Sequence, residues 1–164
     1  MVRNVKEVGP QRYRETFGRY FEDFVVGDVY QHPFGRTISE ADSTWFTQLT
    51  MNTNQSHFNA PFAEQSPFGK VLVNSCFTLS LMVGISVNDT TLGTAVANLG
   101  WDEVRFPAPV FIGDTLRAYS EVKELRDSKS RPDAGIVTWV HEMWNQRDEV
   151  VCRCERSALI RRRG

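Results

Sequence analysis

The segment that most limits the fold is Val71–Ser86. Leu72, Phe77, Leu79, Leu81, Met82, Val83 and Ile85 occupy nearly every side of a helix that begins at Lys70 or Val71. A helix apolar on all sides has to be covered on all sides. Asn74, Ser75, Thr78, Ser80 and Ser86 interrupt the run, which stands at the short limit of a membrane span, so it reads as a buried helix of a soluble domain. Its cover has to come from the strands around it. Upstream, Val29–Thr37 reads as a strand. Ser39 is a helix cap, and Ala41, Trp45, Phe46 and Leu49 keep helical spacing over Glu40–Thr50. Downstream, Gly93–Phe106, Thr115–Arg126, Ile136–Trp144 and Glu149–Ile160 read as strands. They are separated by Pro107-Ala108-Pro109, Gly113-Asp114, the turn-rich Asp127–Gly135 and the tight Asn145–Asp148. One strand, two helices and four antiparallel strands make an α+β domain, with the long helix packed on a curved sheet.

The 164 residues fit one domain, read as a charged arm over 1–18, the domain over 19–161 and a basic tail over 162–164. Nineteen Lys and Arg against twenty Asp and Glu leave a net charge of −1, which offers no general attraction to nucleic acid or to an anionic membrane. Cys76, Cys152 and Cys154 are too few and wrongly spaced for a disulfide scaffold or a CxxC site. On a strand, Cys152 and Cys154 would share one face as small apolar residues. This usage and the polar N-terminus point to a cytoplasmic protein. No metal-ligand cluster, phosphate loop or dinucleotide fingerprint stands out.

Met51–Gly69 differs in kind: Asn52, Asn54, Gln55, Ser56, His57, Asn59, Pro61, Pro67 and Gly69 break any strand or long-helix pattern. A long irregular segment inside a compact domain is often functional. Three stretches here resemble the MaoC-like dehydratases, the hot-dog-fold family of (R)-specific enoyl-CoA hydratases. They are Arg36–Asp42 with Phe46 and Leu49, Asn52–His57 where that family has Asp-x-Asn-Pro-x-His, and Val104–Val110 through Gly113–Leu116. The segment Arg126–Val137 is similar to the branch that acts on mesaconyl-CoA, β-methylmalyl-CoA or itaconyl-CoA. The resemblance implies a single hot-dog domain, a hydro-lyase acting on acyl-CoA with no cofactor (CoA being part of the substrate), and a homodimer or higher homo-oligomer.

It also implies roles for residues. His57 matches the family's histidine and would move protons, since an imidazole titrates at about pH 6.5. Asn52 stands where the family has its Asp; an amide accepts no proton, so it would hold water instead. At the start of the long helix, Asn74-Ser75 replaces His-Gly, and the backbone N–H of Ser75, with that of Cys76, would bind the thioester oxygen. Val83 stands where simpler hydratases carry a serine. Glu40 or Asp42 as a substitute carboxylate competes with a plain helix-start role. Asn54, Phe58 and Arg131 are the candidate substrate contacts, with Arg36 and Arg105 as further partners for a second carboxylate and Phe62 as a further pocket wall. Arg161–Arg163 reads as a solvated tail. His32 and His141 read as strand surface or core. A hot-dog thioesterase and a non-catalytic acyl-CoA-binding subunit remain alternatives, because one fold hosts several chemistries.

Overall fold

A computed structural model describes residues 5–15 and 18–164. Val5–Gly9 (β1) and Arg12–Glu15 (β2) form a small separate hairpin within the segment read as a featureless arm. Residues 1–4, 16 and 17 of that arm lie outside the described residues. Val29–Thr37 (β3), Ala95–Arg105 (β4), Thr115–Asp127 (β5), Ala134–Trp144 (β6) and Val150–Arg161 (β7) make one antiparallel sheet in the order β3-β5-β6-β7-β4. The helices are Glu40–Leu49 (α1), Ala60–Glu64 (α2) and Ser75–Ser86 (α3). Among the described residues no helix is long and apolar enough to cross a membrane.

Helix α3 starts at Ser75, later than the apolar pattern suggests. Leu72 and Val73 are held as extended chain, through a bridge from Leu72 to Phe111 and a hydrogen bond from Val73 N–H to the Val110 carbonyl. Asn74 then caps the helix through its side chain. A single π-turn, Val87–Thr91, closes the other end. The expectation that this helix is covered all round needs correcting for one chain: Cys76, Ser80 and Gly84, one turn apart, are exposed.

The helix packs on the sheet's inner face. Met82 and Ile85 meet Leu116, Ala118, Met143, Cys152 and Cys154 in one buried cluster. Phe24, Val122, Val137, Trp139, Ala158 and Ile160 form a second. The two-residue period of strands puts Ser120, His141 and Arg156 on that same face between the clusters. All three are buried, as is His32. A polar belt therefore crosses an otherwise apolar floor.

Candidate active site

The irregular segment contains more structure than its sequence suggests. Asn54 Oδ1 accepts the Ser56 N–H and caps a 3-10 turn over Gln55–His57, and Asn59 caps α2 through the Phe62 N–H. Asx caps of this kind close short turns without apolar periodicity, which is why periodicity misses them. The turn presents His57 to the chain entering α3. His57 Nδ1 lies 2.7 Å from the Leu72 carbonyl oxygen. A carbonyl only accepts, so Nδ1 carries the proton and, in the neutral ring, Nε2 keeps its lone pair. Nε2 has no hydrogen-bond partner among the described residues. The Leu72 N–H returns a bond to the Ser56 carbonyl at 3.0 Å, so the histidine turn and the α3 lead-in are doubly joined.

Asn52 follows Met51, whose φ of 55° turns the chain sharply out of α1. The Asn52 N–H donates to the Thr47 carbonyl (3.0 Å), and its Oδ1 accepts the Asn54 N–H (2.9 Å). Its acceptor atom is thus engaged and its Nδ2 is left to donate. At α3, Asn74 Oδ1 accepts the Cys76 N–H at 3.0 Å. Cys76, expected beside Ser75 as an oxyanion donor, therefore spends its N–H on the cap. The Ser75 N–H has no partner among the described residues. Ser75 also lines a cavity of about 330 Å3 with Phe68, Leu72, Thr78, Phe106, Pro109 and Val151. No lysine, arginine, aspartate or glutamate lines it.

Residues 23–145 match the family described as MaoC like domain. The chain belongs to this family of MaoC-like dehydratases. It is 36% identical over 147 residues to the β-methylmalyl-CoA dehydratase of Chloroflexus aurantiacus, covering 89% of this chain and 41% of that one. It is 34% identical to the mesaconyl-CoA hydratase of Cereibacter sphaeroides, covering 89% and 42%. The chain thus spans about two-fifths of the length of these relatives. Among solved structures, a protein from Archaeoglobus fulgius titled monoamine oxidase regulatory protein superposes with a TM-score of 0.80 at 33% identity, over 91% of this chain and 98% of that one. A Mycobacterium tuberculosis protein described as a double hotdogfold superposes at 0.78 with 22% identity, over 89% and 45%, and shows the hot-dog fold shared with this chain.

Within this MaoC-like domain the sequence candidates separate into two groups. His57, Asn52 and Ser75 are linked by hydrogen bonds through Leu72, Thr47 and the α3 cap, and of the three only Ser75 lines the cavity. Asn54 spends its side-chain oxygen on the cap. Phe58 is half-buried beside His57 and does not line the cavity. Arg131 grips Asp133 with two hydrogen bonds of 2.8 and 2.7 Å in the β5–β6 loop. That loop adjoins the Arg161 end of β7, whereas the cavity adjoins Val151 at its start, roughly 30 Å away at strand rise. Within one chain Arg131 is therefore remote from His57.

Arg36 pairs with Asp42, the N3 residue of a Ser39 capping box. Burial opposes ionisation of Asp42, yet the Ser39 N–H and hydroxyl and the Arg36 guanidinium together hold its carboxyl below the usual range. Asp42 is thus a capping carboxylate. Burial also pushes the Cys152 and Cys154 thiols up to about 12 and about 11, consistent with inert core residues. The tail is less free than it reads: Arg162 pairs with Glu22 and Asp127, and Arg163 with Asp23. Thr47, the Leu72 carbonyl and the Asn74 side chain were not singled out by sequence. Only Asn74 carried a local signal, as an Asn just before a helix.

Proposed function

We propose that the chain is an acyl-CoA hydratase/dehydratase that adds water reversibly to a 2-enoyl-CoA, with a branched C5 dicarboxylic enoyl-CoA such as mesaconyl-CoA as the favoured substrate. One observation carries the reading: the Leu72 carbonyl fixes the His57 tautomer and leaves Nε2 as a base, and Leu72 itself stands three residues before Ser75, whose N–H is unpartnered among the described residues. The names of the relatives supply the substrate class. In this reading the Asn52 Nδ2 donates to a water and His57 Nε2 removes its proton. The oxygen attacks the β-carbon, and the C=C electrons pass to the thioester oxygen as an enolate that accepts from the Ser75 N–H. The His57 imidazolium returns its proton to the α-carbon, so one water is added in total. The chain's own groups supply each step, and no cofactor is assigned.

A second copy of the chain is part of this proposal. Edge strand β4 is paired only to β7 among the described residues and exposes Leu99 and Trp101, and the Cys76–Ser80–Gly84 stripe of α3 is open. Joining two such edges would cover both, with a second copy standing where the longer relatives have further chain.

The test is mass-spectrometric hydration of mesaconyl-, itaconyl-, crotonyl- and longer enoyl-CoAs. We expect a gain of one water on a C5 dicarboxylic substrate, and a kcat at least 100-fold lower in His57→Gln. Coenzyme A release without a hydrated product would identify a thioesterase instead. Binding without turnover would identify a non-catalytic acyl-CoA-binding subunit.

A further inference from the structure

The residues leading into α3 bond directly to His57 and, through Thr47, reach Asn52. Leu72 holds His57 and Ser56, Val73 holds Val110, and Asn74 holds Thr47. The last link has no role yet. Asn74 is 4% exposed, and its Nδ2 donates to Thr47 Oγ1 at 3.4 Å while its Oδ1 takes the Cys76 N–H. Thr47 is fully buried on α1, and its carbonyl is the acceptor of the Asn52 N–H. One buried side chain, through one further residue, thus connects the free N–H at Ser75 to the loop that carries Asn52.

We propose that Asn74 and Thr47 are positioning residues that fix the Ser75 N–H against the Asn52–His57 loop and restrict the oxyanion site to a single backbone donor. The proposal rests on the hydratase reading above. An amide suits the position because it accepts and donates at once. A carboxylate would cap α3 equally well and could accept from the Thr47 hydroxyl, but it brings negative charge beside the developing enolate. Displacing reacting groups by about 1 Å can cost on the order of 100-fold in rate.

The experiment measures kcat, KM and the thermal midpoint for Thr47→Val, Thr47→Ser and Asn74→Asp, using whichever of mesaconyl-, itaconyl- or crotonyl-CoA the wild type hydrates best. Thr47→Val is expected to lower kcat tenfold or more with KM within threefold, and Thr47→Ser to restore kcat to within threefold of wild type. Asn74→Asp, which keeps the cap, should hold its midpoint and lose at least tenfold in kcat. An active wild type with unchanged kcat in Thr47→Val or Asn74→Asp overturns the positioning role alone. So does an equal loss in Thr47→Val and Thr47→Ser that follows the midpoint. A wild type that hydrates none of the three overturns the hydratase reading, and this inference with it.

Discussion

At the residue scale, two of the histidines show how one side chain takes opposite roles. His57 is half-buried, and a carbonyl on Nδ1 leaves Nε2 available. His141 is buried in the core with its Nε2 unpartnered among the described residues: its Nδ1 lies 2.6 Å from Ser120 Oγ, which lies 2.7 Å from His32 Nε2, and His32 Nδ1 lies 2.8 Å from Asp89 Oδ1. Asp89, His32 and Ser120 have the connectivity of a hydrolytic triad, but Ser120 is fully buried between two imidazoles. Burial, followed by the charges of Arg156 and His32, pushes the His141 pKa down to about 3. An unfolded chain titrates this group at about 6.5. Between those values the unfolded state binds more protons, so this contribution to stability is complete above pH 6.5 and is lost as pH falls towards 3, by up to roughly 1.4 kcal/mol per pH unit. Urea unfolding from pH 7.5 to 4 should show that decline in the wild type and a clearly shallower one in His141→Gln. Cys154, Arg156, His32 and Asp89 are common to both proteins, so parallel slopes would remove His141 as the cause.

At the scale of elements, the β5–β6 hairpin is fastened to the start of the domain. A Cβ on Gly135 would lie 2.3 Å from the Phe21 ring, and the Arg162 guanidinium sits 4.4 Å above that ring while pairing with Glu22 and Asp127. The ring is covered from both sides and has little room to yield, so Gly135→Ala should cost about 1–3 kcal/mol. A thermal midpoint equal to wild type would show that Phe21 can move aside. None of this was legible in the sequence, where Arg162 and Arg163 read as a tail. What was legible has a local cause. Alternation set the strands to within two residues at most ends, Ser39 and Asp42 announced the start of α1, and Asn52, Asn54 and His57 were marked by their resemblance to the family's motif. What depends on chain crossing was hidden: the pairing of Leu72 with His57, the reach of Asn74 to Thr47, and the distance of Arg131 from the cavity.

At the scale of the molecule, a single chain leaves its most apolar helix open along Cys76, Ser80 and Gly84, and its sheet open along β4. Edge strands that present hydrophobic side chains are templates for pairing, and charges on them are the usual safeguard. Here Leu99 is 50% and Trp101 48% exposed, at the middle of the strand. Small residues along a helix let a second helix approach closely, so antiparallel joining of two β4 strands would extend the sheet to ten strands and set the two α3 helices beside each other. Leu99→Lys combined with Trp101→Lys adds four like charges across such a joint, while both side chains remain accessible in the separate chain. Sedimentation equilibrium should give about twice 18.8 kDa for the wild type and a value near 18.8 kDa for the double variant, with unchanged circular dichroism. Hydratase activity assayed alongside then tells whether the second copy completes the site or only covers the helix. An active monomer would confine the chemistry to the Leu72–Ser75 lead-in of one chain, and a wild type already at 18.8 kDa would remove the β4 joint altogether.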